Sequence, residues 1–107
     1  MAFECAIGRN GDAITVVPEG DLDIESVTVM RELLKQVVDA TPDGRIDIDM
    51  RAVTFLDSSG IGMLVAAQRA AAARGTTLKL HDPGPMISMV LQIANLDGTL
   101  VASPADS

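Results

Sequence analysis

Two leading strands followed by an alternation of helix-like and strand-like segments are the feature that most constrains this chain. Ala13–Pro18 carries the β-branched run Ile14, Thr15, Val16 and Val17, which reads as a strand. Phe3–Ile7 is a shorter strand candidate before it, and Gly8-Arg-Asn-Gly11 between them suits a hairpin turn. Glu19–Asp23 reads as a loop. Glu25–Ala40 then places Val27, Met30, Leu34, Val37 and Val38 at helical spacing. Ser26 or Asp23 suits its start, and Thr41-Pro-Asp-Gly44 stops it. Arg45–Met50 alternates, with Ile46, Ile48 and Met50 against Asp47 and Asp49, so one face is buried. Ser59–Arg74 is the next helix, with Ile61, Leu64, Val65, Gln68 and Ala72 read as its buried stripe and Gly75 as its end. Thr76–Leu80 is a strand, and Met86–Leu96 repeats the helical pattern through Met86, Met89, Val90 and Ile93. Leu100–Ala102 adds a little extended structure, and 103–107 reads as a frayed tail.

Strands separated by single helices require right-handed crossovers and a mainly parallel sheet. The expected fold is a small α/β domain with a four- or five-stranded mixed sheet and helices packed mostly on one face. At 107 residues the chain has the length of one domain. Apolar residues make up 48% and charged residues 21%, an ordinary globular balance that excludes wholesale disorder.

Charge and composition narrow the partners. The net charge is −7, Lys and Arg are scattered singly, and Trp and Tyr are absent. A negative surface repels phosphate backbones and anionic lipid, and single-stranded nucleic acid needs aromatic stacking platforms. A protein partner is expected, without nucleic acid and without membrane insertion. Cys5 is the single cysteine, so an internal disulfide is excluded. No apolar stretch has the length of a membrane span, and Met1-Ala-Phe-Glu lacks the regions of a signal peptide, so the expected location is the cytoplasm.

The densest segment is Val53-Thr-Phe-Leu-Asp-Ser-Ser-Gly-Ile-Gly62. A strand and short loop run into two adjacent hydroxyls, and a helix begins. Asp57 or Ser58 suits the N-cap, its side-chain oxygen accepting a free first-turn N–H. Gly60 and Gly62 each cost the helix about 1 kcal/mol against Ala, so something is expected to approach the backbone closely. A phosphate on a serine here would meet free N–H groups and the positive helix end. It would be tolerated locally while adding about −1.5 to −2 of charge to the surface.

This segment resembles the phosphorylation motif of the STAS-domain anti-sigma factor antagonists, also called anti-anti-sigma factors. Gly20-Asp-Leu-Asp23 is similar to that family's other recurring loop, and Asp49-Met50-Arg51 and Arg74-Gly75 also fit. The resemblance covers roughly residues 13–102. It implies a non-enzymatic regulator that binds an anti-sigma factor, often a serine kinase of the GHKL class, and so releases a sigma factor. The kinase inactivates such an antagonist by phosphorylating the first hydroxyl of Asp-Ser-Ser-Gly, and a phosphatase restores it. On this chain the acceptor is then Ser58, with Ser59 as second choice. The implied partner-binding residues are Asp23, Asp57, Ser58, Ser59, Gly60, Ile61, Gly62 and Met63. Asp21 stands where the family commonly has Glu. An alternative function is a soluble STAS subunit of an ABC-type transport assembly. Dimerisation is left open.

Other candidates have plainer readings. Met63, Ala66 and Ala70 lie off the assumed buried stripe, either as ordinary helix formers or as a flat face for a partner. Asp47, Asp49 and Asp57 read as solvated acids rather than metal ligands. His81 is the single histidine, and no Gly-x-Ser-x-Gly elbow accompanies it, which counts against a hydrolase built on Ser58. Gly-x-x-x-x-Gly-Lys is absent, so a P-loop nucleotide site is unsupported and no cofactor is expected.

Overall fold

A computed structural model describes residues 3–102. The tail at 103–107 lies outside the described residues. The elements run β1 (Glu4–Asn10), β2 (Ala13–Leu22), α1 (Val27–Asp39), β3 (Arg45–Asp49), β4 (Val53–Leu56), α2 (Ser58–Ala72), β5 (Thr77–His81), α3 (Pro85–Ile93) and α4 (Asp97–Leu100). The five strands form the expected mixed sheet, in the order β1-β2-β3-β5 with β4 also pairing β2. Only β1 and β2 are antiparallel, and the β2–β3, β2–β4 and β3–β5 pairs are parallel.

The hairpin turn is tighter than the sequence suggests. Asn10 already pairs Ala13, so Gly11 and Asp12 alone make the turn, with Gly11 at φ 66°. β2 also runs further than Pro18. The segment read as a loop continues the strand to Leu22, because the register shifts between Gly20 and Asp21. Gly20, at φ 106°, carries the bulge. Up to Glu19 the strand pairs β1, and from Gly20 it pairs β4.

Ile14 and Val16 of β2, Ile46 and Ile48 of β3, and Leu78 and Leu80 of β5 share one core with the helices. The alternate residues, among them Asp47, Asp49, Lys79 and His81, sit on the other face and are half-buried. α1 buries Val27, Met30, Leu34, Val37 and Val38, the stripe its spacing predicts. α2 and α3 are rotated from expectation. α2 buries Gly60, Met63, Leu64 and Ala71, and α3 buries Ile87 and Leu91. Met86, Met89 and Ile93 therefore face outward. Nearly every position of these two helices is apolar or small, so the periodicity gives little contrast by which to choose the inner face.

α3 ends at Ile93, short of the expected Leu96. Asn95 adopts φ 59°, and the Leu96 N–H donates to Leu91 O at 2.9 Å while the Asn95 N–H donates to Gln92 O at 3.0 Å. This is a Schellman closure with Asn in the left-handed position. The chain then turns into α4, which the sequence reading missed, and Val101 bridges Leu80 in parallel at the β5 edge.

The strand-start end of the sheet is cross-stitched. Arg45 N–H donates to Asp12 O, Thr77 N–H to Gly44 O and Asp43 N–H to Arg74 O, each at 3.1 Å. The buried Thr76 hydroxyl donates to the Thr41 carbonyl, and the buried Thr41 hydroxyl donates to Val37 O at 2.7 Å.

Candidate functional site at the carboxyl ends of β2 and β4

Leu22 and Leu56 are paired neighbours in parallel strands and both are buried. The chain leaves them side by side, into the Asp23 loop from β2 and into Asp57-Ser58 from β4. Crevices beyond the carboxyl ends of parallel strands are where α/β sheets place ligand-binding loops. The topology thus brings together Asp23 and the Asp57–Gly62 segment, thirty-odd residues apart in sequence.

The start of α2 is fixed at three points. Asp57 is the N-cap, and its Oδ1 accepts from the Gly60 N–H at 3.1 Å. Its own N–H donates to Leu22 O at 3.3 Å, and its carbonyl accepts from the Ile61 N–H at 3.0 Å. Of the two capping candidates, Asp57 takes the role, which leaves Ser58 as the first helical residue. Ser58 is exposed and Ser59 half-buried. Among the described residues, neither hydroxyl has a hydrogen-bond partner within the chain. The two first-turn N–H groups that Asp57 does not reach sit beside them, at the positive helix end.

The two glycines act differently. A Cβ on Gly60 would come within 2.7 Å of both Leu22 O and Leu56 Cδ1. The expected close approach is therefore internal: the first turn of α2 presses on the ends of β2 and β4. A Cβ on Gly62 would meet nothing within 4 Å. Gly62 instead leaves bare helix backbone at the surface, next to the half-buried Ile61.

Met63 does not belong to the exposed set. Its side chain is 3% exposed and lies in the core, because the buried stripe of α2 runs through 60, 63, 64 and 71 rather than 61, 64, 65, 68 and 72. Gly60 is buried as well, so it shapes the site from beneath. Ala66 and Ala70, grouped with Met63 in the sequence reading, are exposed.

Asp23 organises the neighbouring loop. Its Oδ1 accepts from the N–H groups of Glu25 at 3.0 Å and Ser26 at 3.1 Å. The Ser26 hydroxyl returns the contact, accepting from the Asp23 N–H at 3.1 Å and donating to the Asp21 carbonyl. The backbone donors, Ser26 first, hold the Asp23 carboxyl below the usual carboxylate range. One turn lower, the Thr54 hydroxyl donates to Asp21 Oδ1 at 2.6 Å and ties β4 to β2. The short Asp21 side chain makes this cross-strand contact.

Sequence reasoning missed two exposed apolar side chains, one in the Asp23 loop and one on β4. Ile24 follows Asp23 directly and is 72% exposed, and Phe55 on β4 is 45% exposed. The available signal for Ile24 was its phase, since it does not fall on the Val27–Met30–Leu34 stripe.

The remaining polar candidates have partners elsewhere. On the open sheet face, Asp47 contacts Arg45 Nε at 2.9 Å and His81 Nε2 at 2.8 Å. Asp49 contacts Arg51 at 2.7 Å, and hydrogen bonding from that guanidinium lowers the Asp49 carboxyl. His81 is thus engaged with Asp47. Among the described residues no group of three His, Cys, Asp or Glu side chains could hold a metal ion. Among them, too, no helix is long and apolar enough to cross a membrane. Cys5 is half-buried on β1, where burial raises its thiol.

Comparison with known proteins bears on this arrangement. The family model described as the Mlab STAS domain matches residues 5–102. Over 97 residues the chain is 27% identical to a STAS-domain containing protein of Pseudomonas aeruginosa, covering 91% of this chain and 94% of that protein. It is 28% identical over 96 residues to the anti-sigma-B factor antagonist of Bacillus subtilis, covering 90% and 86%. An anti-sigma factor antagonist from Mycobacterium paratuberculosis shares the fold with a TM-score of 0.83 at 20% identity, over 98% of this chain and 90% of that one. The anti-sigma factor antagonist SpoIIAA in its unphosphorylated form does so with a TM-score of 0.72 at 24% identity, over 98% and 91%. The family-model match spans nearly the whole chain, and the Asp57–Gly62 segment sits in it at the start of α2: this protein belongs to the STAS domain family, together with relatives that are anti-sigma factor antagonists.

Proposed function

We propose that the protein is an anti-sigma factor antagonist whose docking surface is switched by phosphate on Ser58. The observation that carries this reading is the exposed, unengaged Ser58 hydroxyl at the first position of a helix whose cap is already supplied by Asp57. The hydroxyl is free for modification without cost to the cap. A phosphate on it meets first-turn N–H groups, so the fold tolerates the charge. The docking surface comprises Asp23, Ile24, Ser58, Ser59, Ile61 and Gly62. Phosphate places a dianion among apolar Ile24 and Ile61 and bare backbone at Gly62, where a partner fitted to a neutral hydroxyl has no counter-charge. SpoIIAA, which has the same fold, has been solved in unphosphorylated and phosphorylated forms. The partner in this reading is an anti-sigma factor of the GHKL serine-kinase class, with a phosphatase to reverse the modification.

The test combines the host cell's anti-sigma serine kinase, ATP and mass spectrometry with calorimetry. Phosphate is expected on Ser58. Ser58→Ala should bind the kinase and resist modification. Ser58→Asp should bind at least tenfold more weakly, about 1.4 kcal/mol, with an unchanged melting temperature. Phosphate on Ser59 or Thr54 with Ser58 untouched would overturn the assignment, as would equal affinity of the authentic phosphoprotein. Tight binding to an ABC-type ATPase, with no kinase acting on Ser58, would favour the transport-subunit reading.

A further inference from the structure

α1 and α2 lie side by side, and between them is a groove of about 220 Å³. Its floor is Leu34 and Val38 from α1 with Met63, Ala66, Ala67 and Ala70 from α2. The concavity exists because α2 supplies three alanines where α1 supplies Leu and Val. Its rim is Arg31, Lys35 and Arg74, with Asp39. The chain has only eight Lys and Arg against fifteen Asp and Glu, so three of the eight cations surround this one apolar groove. Arg74 is paired with Asp39 at 3.1 Å and closes one end. Among the described residues no ion pair engages Arg31 or Lys35. Those two stand four apart on one helix face, where like charges cost about 0.2–0.5 kcal/mol. Neither folding nor the Ser58 surface accounts for placing them there.

From these observations we infer that the groove is a second docking surface, which takes an acidic amphipathic helix of a partner protein. The apolar floor fits anchor side chains, and the cationic rim fits carboxylates flanking them. The groove is smaller than the ~300–1,000 Å³ of small-molecule sites, but suits one or two side-chain anchors. Arg31 and Asp39 are eight residues apart, about 12 Å along α1. That matches the span of anchors at i, i+4 and i+7 on a docked helix. Ala70 lies twelve residues past Ser58, about 18 Å along α2. A helix seated at the Ala66–Ala70 end lies away from Ser58, while the Met63 end of the groove adjoins Gly62.

The probe is a fluorescein-labelled helical peptide of about four turns, with Leu at the anchor positions and Glu elsewhere, and a control with Lys in place of Glu. The Glu peptide is expected to bind the intact protein and to shift the amide resonances of Arg31, Lys35, Ala66 and Ala70. The Lys peptide should bind at least tenfold more weakly, and added salt should narrow the difference. The double variant R31E/K35E and the groove-filling Ala70→Leu should each weaken the Glu peptide at least tenfold, with melting curves confirming the fold. Ser58→Asp should leave its affinity unchanged, which separates failure here from failure of the switch. Equal binding of both peptides, or shifts confined to the 23–26 and 57–62 segments, would overturn the proposal. So would groove resonances that shift with octanoate but not with the Glu peptide, which would make the groove a small amphiphile site. Self-association abolished by R31E/K35E would assign it to a second copy instead.

Discussion

Gly60 and Gly62 provide an internally controlled measurement of how tightly α2 is seated on the sheet. In isolation, either Gly→Ala change should stabilise the helix by up to about 1 kcal/mol. At Gly62 nothing opposes that gain, since the added methyl meets open space. At Gly60 the methyl meets Leu22 O and Leu56 Cδ1, each at 2.7 Å. Leu56 is a buried side chain with some freedom, but the Leu22 carbonyl belongs to the backbone of β2, so helix or strand must move. Overpacking of this kind costs about 1–3 kcal/mol. Helix propensity returns up to about 1 kcal/mol of that, so the middle of the range leaves a net loss of about 1 kcal/mol. For a domain of this size 1 kcal/mol is worth about 4–8 °C in melting temperature. Thermal melts should therefore place Gly60→Ala roughly 4–8 °C below the parent and Gly62→Ala a few degrees above it. A Gly60→Ala protein as stable as the parent would show that the start of α2 floats on the sheet, and would remove the physical basis for a precisely presented Ser58.

Two further outcomes follow from the hydrogen bonding. Thr76→Val removes the donor to the buried Thr41 carbonyl. Urea titration should show a loss of about 1–3 kcal/mol, the cost of an unsatisfied buried acceptor. The Asp23 carboxyl is held low in the folded protein, so its contribution is present above the ordinary carboxylate range and is lost as pH falls through the depressed value. Amide exchange at Glu25 and Ser26, corrected for intrinsic pH dependence, should therefore quicken at acid pH, and in Asp23→Ala should be fast at all pH values.

How much of this was legible depended on contrast in the sequence. α1 was readable residue by residue because Arg31, Glu32, Lys35 and Gln36 separate its apolar positions. β3 was readable because Asp alternates with Ile. α2 has Ala66, Ala67 and Ala70–Ala73, which fit either face, and its phase was misread. Met63 moved from surface to core for that reason alone. The end of β2 was misread because Pro18 and Gly20 are turn signals, whereas Gly20 here carries a bulge at which the strand changes partner. α4 begins at Asp97-Gly98, which local pattern reads as a turn. The motif itself was read correctly as a strand, cap and helix start, because capping chemistry is local. What no single-sequence pattern could supply was the adjacency of the Asp23 loop to Ser58, since it depends on β2 reaching Leu22 and pairing there with Leu56.

The cross-stitching at the strand-start end also has an evolutionary meaning. Thr41, Gly44, Thr76 and Thr77 secure helix ends and strand register there, at the opposite end of the strands from Asp23 and Ser58. A Cβ on Gly44 would run into the Asp12 carbonyl, so that end has little room for change. The loops at the other end are tied largely within themselves, Asp23 to Ser26 and Asp57 to Gly60. On the proposed function, exposed loop positions such as Ile24 and Ser58 can change without touching the strand-start fastenings. In that reading a gene duplicate of this chain is free to drift toward a new partner by changing exposed loop residues, and paralogues in one cell can diverge in specificity on one shared scaffold.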